Sequence, residues 1–115
     1  MLNLHVVCLC AAWCRTCDAY ASTLDEVVGD FQRRGLAAAP RWVDIEDEAE
    51  LLDDLDIETF PTLLVHDGER LRFGGVLTPQ PETLRRLLQS LLDDPQSVPR
   101  ADPGFEGLLQ RLLAG

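Results

Sequence analysis

The chain of 115 residues is long enough for one domain with a real hydrophobic core and a short appendage. Its 20 acidic residues outnumber its 10 basic ones, the net charge is −10, and every base is an arginine. The resulting field repels phosphate, which excludes nucleic acid and anionic membrane as partners, and the lack of lysine excludes Schiff-base chemistry and P-loop phosphate binding.

The apolar stretch from Leu2 to Trp13 has no basic n-region before it and no small-residue cleavage site after it. It is also too short to span a bilayer. Leu4 to Cys10 within it therefore reads as a central β-strand buried on both faces. A cytoplasmic protein is expected, with thiols that are reduced at rest. From Cys14 the apolar period becomes helical through Tyr20, Leu24, Val27, Val28 and Phe31, which predicts one helix over 14–34 ended by Gly35. Arg41 to Ile45 reads as a second strand and 47–55 as a short acidic helix. Thr62 to His66 is a third strand, Asp67-Gly68 a hairpin signal, and Glu69 to Phe73 a fourth strand ended by Gly74-Gly75. Thr78, Pro79 and Pro81 introduce a helix whose Leu84, Leu87, Leu88, Leu91 and Leu92 form one apolar face. The order βαβαββα, with one parallel crossover and one tight hairpin, predicts an α/β fold with a mixed four-stranded sheet flanked by helices.

Residues 1–92 are expected to form the domain. Residues 93–115 are expected to form a proline-marked linker and a short amphipathic helix through Phe105, Leu108, Leu109, Leu112 and Leu113. That helix is too short to be stable alone, so its apolar face should dock on its own domain or on a second copy.

The chemistry is concentrated in Trp13-Cys14-Arg15-Thr16-Cys17. This Cys-x-x-Cys lies where a strand gives way to a helix, so unpaired backbone N–H groups point at the first sulfur and favour its thiolate. Arg15 adds positive potential. Cys17 lies one turn on and can attack a mixed disulfide formed at Cys14. Cys14 is thus the expected nucleophile and Cys17 the resolving thiol. Four thiolates at 8, 10, 14 and 17 would suffice in number for tetrahedral zinc. Cys8 and Cys10 share one strand face, however, and joint ligation with the other two is awkward at a strand end, so no metal is expected. Both read most simply as small buried hydrophobes, with Cys8 also a candidate secondary thiol that could trap or relay through Cys17.

Ala12-Trp13-Cys14-x-x-Cys17 resembles the active-site signature of the thioredoxin family. Phe60-Pro61-Thr62 before an apolar strand is similar to that family's second signature, and Leu24-Asp25-Glu26, Asp67-Gly68-Glu69 and Gly75 also match. The resemblance covers roughly 3–92. It implies a thioredoxin-like fold and thiol–disulfide exchange on protein substrates with no cofactor, recycled by an external reductase. It also implies a cis-proline at Pro61 that, with Phe60 and Thr62, positions the substrate backbone, and a Trp13 that shields the reactive edge. Cys8 stands where the family has a buried aspartate, and Trp42 lies near the position of its usual partner lysine. The family's initial strand and helix have no counterpart in this sequence, so an open sheet edge joins the C-terminal helix as a candidate homodimer contact. These departures support the alternative of a non-catalytic docking module that uses its acidic surface. Nine acids fall between Asp44 and Glu58.

Overall fold

The computed structural model describes residues 3–11, 15–52, 62–78, 80–94, 100–101 and 104–114. The elements are β1 (His5–Cys10), α1 (Arg15–Arg33), β2 (Arg41–Asp44), α2 (Ala49–Leu52), β3 (Thr62–His66), β4 (Leu71–Val76), α3 (Pro81–Asp93), β5 (Arg100–Ala101) and α4 (Phe105–Ala114). The sheet is mixed and five-stranded, in the order β2-β1-β3-β4-β5. β1 runs parallel to β2 and antiparallel to β3, and β3 is antiparallel to β4. The α/β expectation holds, but the four-stranded sheet is corrected to five. The added strand lies in the stretch read as linker, where Phe73 and Gly74 pair in parallel with Arg100 and Ala101.

β1 organises the core. Side chains alternate across a strand, so Val6, Cys8 and Cys10 face α1 and α3, joining Tyr20, Leu24, Val27, Phe31, Leu84 and Leu88. Val7 and Leu9 face the other way, joining Val43, Leu64, Leu71 and the α4 residues Phe105, Leu108, Leu109 and Leu112. The unbroken apolar run of β1 is thus explained by helices on both faces. The C-terminal helix covers its own domain, with its apolar stripe buried against the sheet.

The helix ends follow local rules. Gly35, at φ 75°, closes α1 in a left-handed turn, with the Leu36 N–H bonding back to the Phe31 carbonyl at 2.9 Å. α3 begins at Pro81, where the missing N–H costs nothing. Arg85 joins α3 to α1 through Asp30, at 2.7 Å. No described helix is long and apolar enough to cross a membrane.

The β3–β4 connection is a tight hairpin. The Asp67 N–H bonds the Arg70 carbonyl at 3.2 Å, its carboxylate accepts from the backbone N–H groups of Glu69 and Arg70, and β4 starts at Leu71 rather than at Glu69. β4 also runs through Gly74-Gly75, which had read as a break. Gly74 is needed there because a Cβ at that position would lie 2.5 Å from the Phe105 ring. The register slips between Val65 and His66, so Val65 faces Phe73 and His66 faces Leu71. Arg72 sits at this slip, buried, and its guanidinium donates to the Asp94 carbonyl at 2.9 Å just beyond α3.

His5 and His66 face each other across β1 and β3, their rings stacked with centroids 4.7 Å apart. His66 Nδ1 accepts a hydrogen bond from the Gly68 N–H at 3.0 Å, which requires that nitrogen to be unprotonated. Burial and then the His5 charge hold His66 below its usual 6.5, against a smaller opposing pull from Asp67. The unfolded chain therefore takes up a proton that the folded chain resists, and stability should fall as pH drops below about 6.5. Asp30 and Asp67 are lowered from 3.8, so their losses come in a separate, more acid window. Melting temperatures between pH 7 and 5 should decline in the wild type and stay nearly flat in His66→Gln.

Candidate active site

The sheet and α1 meet at the C-terminal end of β1. Cys10 is the last residue of that strand, and Cys17 lies in the first turn of α1. Both are fully buried. They are joined in a disulfide with Cα atoms 5.9 Å apart, an ordinary spacing for such a bond. Cys8, two residues back on the same strand face, remains a buried thiol with its Sγ 3.4 Å from that of Cys10. A sulfur already in a disulfide carries no hydrogen, so the donor in this contact is Cys8.

Tyr20 is one turn beyond Cys17 and packs in the same cluster as the three sulfurs. Its hydroxyl is buried and has no hydrogen-bond partner among the described residues. Burial, and secondarily charge at Cys8, hold this phenol protonated well above its usual range. The cluster therefore contains an uncommitted O–H donor beside sulfur chemistry.

The residues expected from sequence are distributed as follows. Cys17 is at the site, bonded to Cys10. Cys8 is buried beside that bond. Arg15 opens α1 and is exposed, with Asp18 exposed in the same turn. Thr62 begins β3, buried, and pairs with Leu9, so the start of β3 adjoins the cysteine end of β1. Trp13, Cys14, Phe60 and Pro61 lie outside the described residues. The residue that sequence reasoning undervalued is Cys10. It had read as a small strand hydrophobe, while Cys8 was the candidate to trap Cys17. The available signal was position, because the last residue of a strand is the one nearest the helix that follows.

Cys8 and Trp42 are direct register partners on β1 and β2. The two positions where the resemblance would place an aspartate and a lysine are therefore neighbours. Here they hold a thiol and an indole, and Trp42 is 40% exposed on the terminal described strand rather than packed away. Among the described residues no group of three or more His, Cys, Asp or Glu side chains is arranged to hold a metal ion.

Solved structures with the same fold include the germline-specific thioredoxin Deadhead of Drosophila melanogaster, at 20% identity and TM-score 0.64, covering 77% of this chain and 81% of that one. The thioredoxin of Trypanosoma brucei brucei is 21% identical with TM-score 0.65, covering 80% and 77%. The first two thioredoxin domains of Saccharomyces cerevisiae Eps1p give 21% and 0.66, covering 83% of this chain and 37% of theirs. No curated protein sequence matches. The thioredoxin family model matches residues 2–89, a span that takes in β1 with its cysteines, α1, the β3–β4 pair and most of α3. On that match the chain belongs to the thioredoxin family, whose members are typically disulfide oxidoreductases.

Proposed function

We propose that this protein is a thiol–disulfide oxidoreductase acting on protein substrates through Cys14 and Cys17. The observation that carries the reading is the placement of Cys17, buried in the first turn of a long helix that follows the central strand of a thioredoxin-family domain. In the reduced protein, the Cys14 thiolate attacks a substrate disulfide, forms a mixed disulfide and expels one substrate thiolate. Cys17 then attacks the Cys14 sulfur, releases the second substrate thiolate and leaves a Cys14–Cys17 disulfide. An external reductase restores the dithiol. Helix-terminal N–H groups and Arg15 favour the attacking thiolate. Trp13 shields the reactive edge, and Phe60, Pro61 and Thr62 hold an extended substrate backbone. With Cys8 in place of a carboxylate, no buried aspartate among the described residues is at hand to deprotonate Cys17, so resolution depends on water or on a neighbouring sulfur.

The exposed Trp42 on a terminal strand and the acidic stretch after it favour a second reading, a docking module for a basic protein surface. Insulin reduction separates the two. Wild type should precipitate insulin B chain in the presence of dithiothreitol faster than dithiothreitol alone, and Cys14→Ser should fall to the reagent background. A wild type that is indistinguishable from the background overturns the catalytic reading.

A further inference from the structure

The Cys10–Cys17 bond gives Cys17 a second partner. We propose that Cys10 is a third exchange thiol, which moves the disulfide inward by attacking Cys17 in the oxidised protein and releasing Cys14. The inference rests on the Cys14/Cys17 reading above and extends it to one more residue. In the step, the Cys10 thiolate attacks the Cys17 sulfur of the Cys14–Cys17 disulfide. One S–S bond breaks, one forms, and Cys14 departs as a thiolate that takes the proton Cys10 gave up. No electrons enter or leave, so no further oxidant is required.

Two features of the site support this. Cys10 and Cys17 are within bonding reach with the backbone as folded, at a Cα spacing of 5.9 Å. The attack needs a thiolate at Cys10, in a fully buried position where an unassisted charge is costly. Cys8 Sγ is 3.4 Å from Cys10 Sγ, and the buried Tyr20 hydroxyl in the same cluster has no hydrogen-bond partner among the described residues. Cys8 is near enough to donate to that thiolate, and Tyr20 adds an O–H group to the same cluster.

The consequence is a protein with two oxidised forms of different reactivity. With Cys14–Cys17 closed, both active-site sulfurs are blocked. With Cys10–Cys17 closed, Cys14 is again a reactive thiol, but the thiol that would resolve its adducts is locked in the core. That form exchanges with mixed disulfides and retains a protein partner covalently instead of turning over.

The test follows the disulfides over time in the full chain. Reduced protein receives one equivalent of diamide. Samples are acid-quenched at intervals and alkylated, and trypsin cuts after Arg15 to separate Cys17 from the peptide bearing Cys8, Cys10 and Cys14. Fragment spectra should show Cys17 bridged first to Cys14 and later to Cys10, with Cys14 regaining its alkylation. Cys10→Ala should stop at the first species. Wild-type mapping carries the test if that variant does not fold. A Cys14–Cys17 bond that never converts overturns the exchange, and so does a Cys10–Cys17 bond that forms equally fast in Cys14→Ser. Insulin reduction alongside an unconverted bond sinks the exchange alone, whereas no insulin reduction and no bond to Cys14 at any time sinks the parent reading as well.

Discussion

Phe105→Ala should destabilise the protein by about 3–5 kcal/mol, because it deletes a buried aromatic side chain whose space the surroundings can only partly reclaim. Against a total stability of about 5–15 kcal/mol for a domain, that loss approaches unfolding at 37 °C. Phe105 is the first residue of α4, is 2% exposed, and lies over Gly74 of β4. Without it α4 loses its anchor, and Val7, Leu9 and Leu64 lose their cover. Gly74→Ala tests the same contact from the other side. Its new Cβ would meet the Phe105 ring at 2.5 Å, an overpacking that costs about 1–3 kcal/mol. With Phe105 reduced to alanine, that methyl group has room, so the double variant should be less destabilised than the sum of the two singles. Urea denaturation of the four proteins measures the coupling. Additive losses would mean that α4 does not lie where the structure puts it.

Cys17→Ser should turn catalysis into capture. Cys14 would still attack a disulfide substrate, but the mixed disulfide would have no thiol to resolve it. Insulin turnover should fall to the reagent background, while a covalent adduct appears on non-reducing gels and disappears with dithiothreitol. The same substitution removes the Cys10–Cys17 bond and leaves Cys10 and Cys8 as buried thiols side by side, so differential alkylation under denaturing conditions should count three thiols at 8, 10 and 14 before substrate is added. Undiminished turnover in Cys17→Ser would remove the residue from the mechanism.

Much of the sheet could be read in advance where one signal dominated. Thr62 to His66 is an apolar run bounded by a proline and an Asp-Gly, and the strand has those limits. The two-sided burial of β1 followed from its lack of alternation. β5 was not legible, because Arg100-Ala101 has no strand propensity of its own and pairs only because β4 is beside it. Gly74-Gly75 misled for a related reason. Two glycines usually interrupt a strand, but here one of them makes room for an aromatic ring that arrives 31 residues later. At the site, strand parity put Cys8 and Cys10 on one face, but parity does not say which of them meets the helix. The end of the strand does, because its last residue is the one nearest the helix that follows, and that signal singles out Cys10.

β1 keeps its sulfurs on one side and its contact with the C-terminal helix on the other. Even-numbered and odd-numbered positions of a single strand thus answer to different neighbours. Over evolutionary time Val7 and Leu9 can drift in step with Leu108 and Leu109, while Cys8 and Cys10 are constrained by α1. A lineage could then remodel or extend its tail, or acquire a new attachment through it, without retuning the thiols across the sheet.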